Sequence, residues 1–262
     1  MDHVTVSRYW EENAEVWTRL AREGYDVYRD HLNTPAFLAM LPPVGGLRGV
    51  DVGCGEGGNT RRLARLGASV TGIDVAGTFL RHAARAEGAE PLGVRYVRAS
   101  AVALPFPDDC FDFATALMSL MDIPENEVAL AEVCRVVRPG GFLQFSISHP
   151  CTDTPHRRNL RDASGLTYAM EIGRYYEQTT ERVDTWLFSA APESLRATLR
   201  PFRTPRFHRT LSSWLNAVVA AGWTLERVEE PSASGEVVRR CPHLQDTQAV
   251  PFFLHVRCRK WA

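Results

Sequence analysis

A glycine-rich turn between an apolar strand and a helix constrains the fold of this chain more than any other segment. The run from Val50 to Gly58 reads VDVGCGEGG, with glycines at positions 53, 55, 57 and 58. Glycine adopts left-handed backbone angles readily and lets the main chain come close to a ligand. Spaced as Gly53-x-Gly55-x-x-Gly58, the turn also fits the dinucleotide fingerprint. A strand, turn and helix of this kind predict an α/β fold with a nucleotide-like ligand at the turn.

Acidic residues at this turn distinguish between cofactors. Asp51 precedes the glycines and Glu56 lies among them, so a pyrophosphate would meet carboxylates. Unit charges about 4 Å apart interact by roughly 1 kcal/mol in water and about 4 kcal/mol at an effective dielectric of 20. Asp74 closes the next apolar strand, where a carboxylate can hold both hydroxyls of a ribose. Each acid alone also fits a turn or helix-start carboxylate. Together they favour S-adenosylmethionine, which carries an ammonium and a sulfonium but no phosphate, over NAD.

Composition sets the class of protein and its partners. With 262 residues, 45% of them hydrophobic, we expect one large core with an appended cap. The net charge of −1, from 30 basic and 31 acidic residues, provides no general field to attract nucleic acid or an anionic membrane. The chain shows neither a signal-peptide pattern nor 18 consecutive uncharged apolar residues, which predicts a cytoplasmic protein.

The six cysteines are scattered without a Cys-x-x-Cys pair, which favours free thiols in a reducing compartment. Cys241 and His243 offer two metal ligands but no matching pair follows, so we expect no metal site.

Short β-rich runs alternate with helical stretches, as in a parallel sheet covered on both faces. Strands are expected at 47–52, 68–73, 94–97, 111–116 and 141–148, and two closing strands, a predicted pair, at 223–230 and 252–259. Helices are expected at 6–22, 34–41, 60–66, 78–87, 125–137 and 211–221. Residues 150–209 carry prolines, arginines and aromatics without a clear period. This pattern divides the chain into an N-terminal helical lid (1–44), a core (45–149 and 210–262) and an inserted substrate cap (150–209).

Four blocks in this order and spacing resemble the class I S-adenosylmethionine-dependent methyltransferases. They are Val50–Gly57, Ile73-Asp74, Leu104–Asp112 and Glu132–Gly141. The resemblance implies a seven-stranded Rossmann-like sheet whose last strand runs antiparallel, with S-adenosylmethionine as cofactor. It implies that the glycine loop faces the methionine part, that Asp74 faces the ribose and that the turn at Ser100 faces the adenine. The full set of expected cofactor contacts is Tyr28, Arg29, Asp51, Gly53, Cys54, Gly55, Asp74, Val75, Ser100, Ala101 and Met118.

One position departs from the family pattern. The turn before Leu104 usually carries an aspartate that accepts a hydrogen bond from the adenine amino group, whereas this chain has Ser100. A hydroxyl also accepts, but without the charge that roughly doubles the strength of such a bond. We therefore expect more of the adenine affinity to come from the backbone. For Met118, core packing is the alternative to a cofactor contact.

Two histidines are candidate general bases for an acceptor that must lose a proton. His149 follows the fifth expected strand, at the sheet edge where open α/β folds bind ligands. His208 immediately precedes a helix. Each also has a structural interpretation, as a turn-bridging residue for His149 and a contact to the helix start for His208.

Aromatic residues of the cap suggest a flat or cationic acceptor. Tyr175, Tyr176 and Trp186 are the expected substrate contacts, with core packing as the alternative. This segment is locally basic, and its arginines include the eight at positions 157, 158, 161, 196, 200, 203, 206 and 209. Such a charge is typical of a solvated face and less often of an acidic substrate or RNA.

Three hypotheses for function follow. The first is methyl transfer to a small molecule, slightly favouring oxygen over nitrogen or carbon because two histidines are available as bases. The second is methylation of RNA or protein through the arginine-rich cap, although no Asn/Asp-Pro-Pro-aromatic sequence follows the fourth expected strand. The third is a fold that binds the cofactor without transferring a methyl group. A homodimer is left open.

Overall fold

The computed structural model describes residues 1–179 and 181–261 as an α/β fold built on one large sheet. The strands in chain order are β1 Arg48–Val52, β2 Ser69–Asp74, β3 Arg95–Arg98, β4 Phe111–Leu117, β5 Val137–Ser148, β6 His156–Arg161, β7 Thr167–Gly173, β8 Arg182–Trp186, β9 Phe202–Arg206, β10 Trp223–Glu229 and β11 Phe253–Lys260.

The helices lie between these strands. They are α1 His3–Arg22, α2 Thr34–Met40, α3 Gly58–Arg65, α4 Gly77–Ala89, α5 Asn126–Val136, α6 Glu193–Arg196, α7 Leu211–Ala220, α8 Gly235–Arg240 and α9 Asp246–Ala249. A π-helical turn, Arg29–Asn33, precedes α2, and single 3₁₀ turns occupy Leu120–Asp122 and Pro242–Leu244. In the described part of the chain, no helix has the length and apolar character needed to cross a membrane.

Seven strands form the main sheet in the order β10-β11-β5-β4-β1-β2-β3. β1 pairs in parallel with β2 and β4, and β4 pairs in parallel with β5. β11 runs antiparallel to both of its neighbours, β5 and β10. The sheet confirms the predicted fold class, including the antiparallel last strand and the pairing of the two closing strands.

Both faces of the sheet are covered, because successive side chains of the central strands point to opposite sides. On one face, α5 and α7 pack through Val133, Val218 and Trp214 against the buried strand residues. On the other, the ring of Phe113 stacks on Phe142 at 5.3 Å beside residues of α3. The central strands therefore form a rigid base, and their carboxyl ends define one functional edge.

Residues 150–209 are more regular than the sequence pattern indicates. They form two antiparallel hairpins, β6 with β7 and β8 with β9, outside the main sheet. The expectation of an irregular segment was wrong because the four strands mix polar and apolar residues without one consistently buried face, so the period-2 signal is weak. The helical segments between β10 and β11 were also not predicted.

Helix α1 connects the core to the second hairpin. The Asn13 side chain exchanges two hydrogen bonds with the backbone of Arg203 in β9, at 2.9 and 3.0 Å. Glu11 accepts hydrogen bonds from the backbone and the hydroxyl of Thr78, at the start of α4. Helix α1 thus holds hairpin β8–β9 over the functional edge of the sheet.

Candidate active site

A cavity of about 840 Å³ opens at the carboxyl ends of β1, β2 and β4. Helix α1, the π-helical turn, both hairpins and residues 246, 252 and 253 contribute to its other walls. The structure places all eleven expected cofactor contacts along this one cavity, together with Trp186: Tyr28, Arg29, Asp51, Gly53, Cys54, Gly55, Asp74, Val75, Ser100, Ala101 and Met118. Residues drawn from six separate parts of the sequence therefore meet in a single space.

The glycine loop after β1 is held by backbone hydrogen bonds. The N–H groups of Gly53 and Cys54 both donate to the carbonyl of Ile73 at 2.9 Å. Gly53 has a φ of +72°, and a Cβ there would overlap the side chain of Ser119, whose hydroxyl donates to the Val52 carbonyl. Gly55 has a φ of +55° and open space where a Cβ would lie. The glycines thus let the loop pack against the turn after β4 and keep its surface free for a ligand.

Asp74 both orders the loop and faces the cavity. One carboxylate oxygen accepts from the N–H of Gly55 and the other from the N–H of Ala76, each at 2.9 Å. Burial raises the pKa of this carboxyl to about 6, although the hydrogen bonds from the backbone oppose the shift. A carboxylate fixed in this way retains free lone pairs for a ligand hydroxyl.

Asp51 lies deeper than Asp74. Its carboxylate accepts from the hydroxyls of Thr60 at 2.6 Å and Thr115 at 2.8 Å, and burial raises its pKa. These bonds join β1 to α3 and β4, so Asp51 stabilises the strand from which the glycine loop begins.

The charges along the cavity are mainly negative. Three arginines line it, at positions 29, 157 and 206, against eight carboxyl side chains, at positions 26, 51, 56, 74, 122, 153, 184 and 246. Such a surface attracts a cation and repels a pyrophosphate. The acidic lining therefore fits the positively charged sulfonium and ammonium groups of S-adenosylmethionine. Asp74 and the glycine loop are the residues that would hold this cofactor.

Tyr28 and Arg29 lie at the π-helical turn that closes one side of the cavity. The Tyr28 hydroxyl donates to the His243 carbonyl at 2.7 Å, and burial raises the pKa of this phenol to about 12. Arg29 forms ion pairs with Asp26, Asp30 and Glu56. A contact from Arg29 to the cofactor carboxylate stays a prediction, because acids already surround its guanidinium.

Ser100 and Met118 border the cavity from the turns after β3 and β4. The Ser100 hydroxyl accepts from the N–H of Val102 at 3.4 Å, a weak contact that leaves it available to a ligand. Met118 has a φ of +58°, which is uncommon for a side chain with a Cβ, and its N–H donates to the Ser146 carbonyl at 2.9 Å. This conformation turns the chain at the functional edge and directs the following residues along the cavity.

Neither predicted histidine is among the described residues that line the large cavity. His149 is 2% exposed; its Nε2 lies 2.6 Å from a Glu230 carboxylate oxygen and its Nδ1 accepts from the N–H of Cys151. The two ring nitrogens of His208 lie 3.0 Å from the Asp153 carbonyl and 2.7 Å from the Tyr175 carbonyl. His149 therefore links the turn after β5 to the end of β10, whereas His208 links two loops of the cap.

The predicted tyrosines also lie away from the cavity lining. Tyr175 accepts a hydrogen bond from the N–H of Leu211, at the start of α7, and Tyr176 is 87% exposed. Trp186 does line the cavity, where its ring packs against Trp17 at 5.4 Å and its Nε1–H donates to Thr204. Of the three predicted substrate contacts, the structure brings only Trp186 to the site.

Asp26 and Asp122 are cavity residues that sequence reasoning missed. Asp26 precedes the π-helical turn, and burial raises its pKa to about 6 despite the neighbouring Arg29. Asp122 closes the 3₁₀ turn after β4, is 7% exposed, and has a pKa that burial raises to about 7. The signal for Asp122 was present in the sequence, since an acid five residues beyond the end of a central parallel strand lies at the ligand-binding edge.

Comparison with known proteins identifies the family. Residues 50–145 match the model of a methyltransferase domain. A fatty-acid O-methyltransferase from Mycolicibacterium smegmatis is 32% identical over 78% of this chain and 77% of its own length. The O-methyltransferase cnsE from Penicillium expansum is 36% identical over 56% of this chain and 53% of its own length.

A solved structure extends this relationship to nearly the whole fold. The S-adenosylmethionine-dependent methyltransferase from Mesorhizobium loti is 32% identical and superposes with a TM-score of 0.69, covering 86% of this chain and 96% of the other. The sequence identity, the sheet order and the acid-lined glycine loop agree. The chain therefore belongs to the class I S-adenosylmethionine-dependent methyltransferases.

Proposed function

We propose that this enzyme transfers a methyl group to a small-molecule acceptor, with oxygen favoured as the methylated atom. One observation carries the proposal: a single cavity of about 840 Å³ contains the glycine loop at one end and a wall from hairpin β8–β9 at the other. Pockets for small molecules span about 300–1,000 Å³. The space suits a cofactor and a modest acceptor together better than a macromolecular surface.

The residues of the two ends have different tasks. At the cofactor end, Asp74 and the loop 53–55 would bind S-adenosylmethionine, which supplies a methyl group on a positively charged sulfur. At the acceptor end, Trp17, Trp186 and Phe188 provide apolar surface that excludes water and binds the acceptor. Holding the acceptor atom in line with the methyl group can contribute about 7 to 11 kcal/mol to catalysis.

The walls of the cavity support the proposed division of the chain. Trp17 comes from residues 1–44, the proposed lid, and Trp186 and Phe188 come from residues 150–209, the proposed cap. Their rings meet above the functional edge of the core, 45–149 and 210–262. The acceptor would thus be enclosed by segments outside the cofactor-binding core.

The names of the relatives support oxygen as the methylated atom. Two of the similar proteins are named O-methyltransferases, one of them for fatty acids. The lining of this cavity nevertheless has more carboxylates than arginines, which disfavours an anionic acceptor such as a fatty acid. We therefore favour a neutral hydroxyl compound.

The arginines of the cap give little support to RNA as the acceptor. Five of the eight form ion pairs with acids: Arg157 with Asp153, Arg158 with Glu171, Arg161 with Asp246, Arg200 with Glu12, and Arg206 with Asp153 and Asp184. Arg209 donates to two backbone carbonyls instead. Because most of this positive charge is neutralised within the protein, the segment lacks the free basic surface on which phosphate binding depends.

Calorimetric titration with S-adenosylmethionine, S-adenosylhomocysteine and NAD tests the cofactor half of the proposal. We expect the first two to bind and NAD to give no heat. Asp74→Asn should weaken S-adenosylhomocysteine about 10- to 100-fold, as expected for the loss of a charged hydrogen-bond partner. Asp162→Asn, on an exposed turn of hairpin β6–β7, is the matched control. Equal affinities for the two variants would contradict the ribose assignment.

Mass spectrometry of acceptor mixtures tests the transfer half. Neutral phenols and alcohols should gain one methyl group in the presence of enzyme and S-adenosylmethionine. Cofactor binding without transfer to any acceptor class would instead favour the fold that binds the cofactor without transferring a methyl group.

A further inference from the structure

Asp122 occupies a distinctive position at the acceptor end of the cavity. The hydroxyl-bearing side chain of Ser119 packs against Gly53 of the cofactor loop, and the N–H of Asp122 donates to the Ser119 carbonyl at 3.0 Å. Asp122 is therefore one 3₁₀ turn away from the loop. It lines the large cavity and also a small adjoining cavity of about 20 Å³ beneath the cap.

Asp122 is a largely buried residue whose carboxylate faces the cavity and has no hydrogen-bond donor among the described residues. The residue is 7% exposed, yet among residues 2–179 and 181–261 no N–H or O–H group donates to its side chain. The other central acids of the site are bonded: Asp51 to two threonines and Asp74 to two backbone N–H groups. A carboxylate in this position depends on a donor from the cavity, either water or a ligand, to satisfy its oxygens.

The charges around Asp122 are largely committed elsewhere. From β9 and the residues after it, Arg206 pairs with Asp184 at 3.3 Å and Asp153 at 3.8 Å, while Arg209 donates to the carbonyls of residues 123 and 124. Asp153, from the segment after β5, adds a negative charge. The small cavity also brings Arg182 of β8 and His208 to this side. Within residues 2–179 and 181–261, none of these groups forms a hydrogen bond to Asp122.

We propose that Asp122 is the general base of the transfer, and that it takes the proton of a neutral hydroxyl acceptor. This rests on the proposed function. A lone pair of the acceptor oxygen forms the new C–O bond as the C–S bond breaks, with its electron pair remaining on sulfur. The O–H bond breaks and its proton goes to a carboxylate oxygen of Asp122. The products are the methyl ether, S-adenosylhomocysteine and a protonated Asp122, which then releases its proton to solvent.

The surroundings of Asp122 suit this role. Burial brings the pKa of its carboxyl to about 7, so near neutral pH it is partly ionised and still basic enough to accept a proton. Burial of this kind is a recurrent way to adjust a carboxyl for acid or base catalysis. His149, by contrast, uses both ring nitrogens within the protein.

Kinetics with 2-naphthol as a neutral acceptor probe test the assignment. We expect Asp122→Asn to slow methyl transfer by about 10² to 10⁴, with S-adenosylhomocysteine affinity within threefold of wild type. Asp162→Asn is the control for loss of a carboxylate far from the cavity. The methyl transfer rate of the wild type should rise as the pH increases through 7. This pH dependence should be absent in Asp122→Asn. A rate within threefold of wild type across pH 6–9 would overturn the proposal.

Chemical rescue separates a base from a structural residue. Asp122→Ala should regain at least tenfold in rate with added formate, which can enter the vacated space and accept the proton. Failure of formate to raise the rate, with the variant folded and binding S-adenosylhomocysteine, would argue for a structural role and overturn the assignment.

A carboxyl NMR measurement keeps the test independent of turnover. The ¹³Cγ signal of Asp122 is identified by its loss in Asp122→Asn. In the S-adenosylhomocysteine complex, 2-naphthol should shift that signal and its titration midpoint. If wild type methylates none of the neutral acceptors, the proposed function fails, and this signal still decides the role of Asp122: no change on adding 2-naphthol overturns it.

Discussion

The two ends of the cavity are built in different ways. At the cofactor end, backbone groups do most of the work: the N–H groups of Gly53 and Cys54 bind the Ile73 carbonyl, and Asp74 binds two further N–H groups. At the acceptor end, side chains far apart in sequence meet, such as Trp17 of α1 and Trp186 of β8. The cofactor end is therefore a local structure of the core, whereas the acceptor end depends on long-range packing.

The largest effect is expected where α1 meets the cap. Measured between ring centroids, Trp17 lies 4.7 Å from Phe202, 5.0 Å from Phe188 and 5.4 Å from Trp186. Trp17→Ala should cost about 3 kcal/mol in the free energy of unfolding, the low end of the range for a large aromatic removed from a core, because Trp17 is only partly buried. Because the cluster joins lid and cap, amide hydrogens of β8 and β9 should exchange faster while those of β1 and β4 keep their protection.

Trp261→Ala is the matched control for this variant, because Trp261 is 75% exposed and should contribute little. Equal loss of protection in β1 and in β8 would mean that the two ends unfold as one unit. The contrast between a local and a long-range end would then fail.

The next effect tests the backbone of the cofactor end. Gly53→Ala places a Cβ against Ser119 at a φ of +72°, so the loop must move. We expect S-adenosylhomocysteine affinity to fall at least about 100-fold, since roughly 1–2 kcal/mol of left-handed strain adds to the overlap.

Gly93→Ala is the matched control for the strain alone. Gly93 has a φ of +79° in the turn before β3, with open space where a Cβ would lie. The stability of Gly93→Ala should fall by a strain energy similar to that in Gly53→Ala. Its cofactor affinity, measured by calorimetry, should stay within threefold of wild type. Comparable losses of affinity in both variants would show that general loosening, and not the local overlap at Gly53, controls binding.

The same contrast explains what could be predicted from the sequence. Val50–Gly58 and Asp74 lie within one strand-turn-helix-strand unit, so local rules sufficed for them. The contacts expected at residues 28, 29, 100, 101 and 118 came from the family resemblance, and all of these residues line the cavity. Tyr175 and Tyr176 failed as cavity residues because only the path of two hairpins decides where they point. The position of Asp122 after β4 could have been predicted, but its lack of a partner could not, because Arg206 is bound by Asp153 and Asp184 through long-range contacts.

A smaller effect concerns the pH dependence of stability. The folded pKa of Asp122, about 7, lies above its unfolded value near 3.8, so the folded state binds an extra proton between these values. Stability from this group is therefore greatest at low pH and is lost as pH rises from about 4 to 7. The Asp122→Asn variant does not undergo this loss, which is about 2 to 3 kcal/mol between pH 5 and pH 8. Its melting temperature relative to wild type should therefore rise by about 5 to 10 °C over that range.

Asp74→Asn provides the comparison from the cofactor end. The pKa of Asp74 in the folded wild type is about 6, so the rise in melting temperature of Asp74→Asn relative to wild type should be complete by about pH 6.5. The loss of the hydrogen bonds to Gly55 and Ala76 should offset this rise. Melting temperatures over pH 5–8 for the two variants and wild type provide the measurement. Parallel curves for Asp122→Asn and wild type would contradict the burial of an unpaired carboxylate.

The smallest effect on catalysis is expected at His149, the base that the sequence favoured. His149→Gln removes the contacts to Glu230 and to the N–H of Cys151. Glu230 is largely solvent-exposed, so the loss should be about 1 kcal/mol in unfolding free energy, with the methyl transfer rate within threefold of wild type. Initial rates with 2-naphthol, alongside denaturant unfolding, measure both quantities. A hundredfold slower His149→Gln that still folds and binds S-adenosylhomocysteine would return the base to the end of β5, and the unpaired carboxylate of Asp122 would then need another explanation.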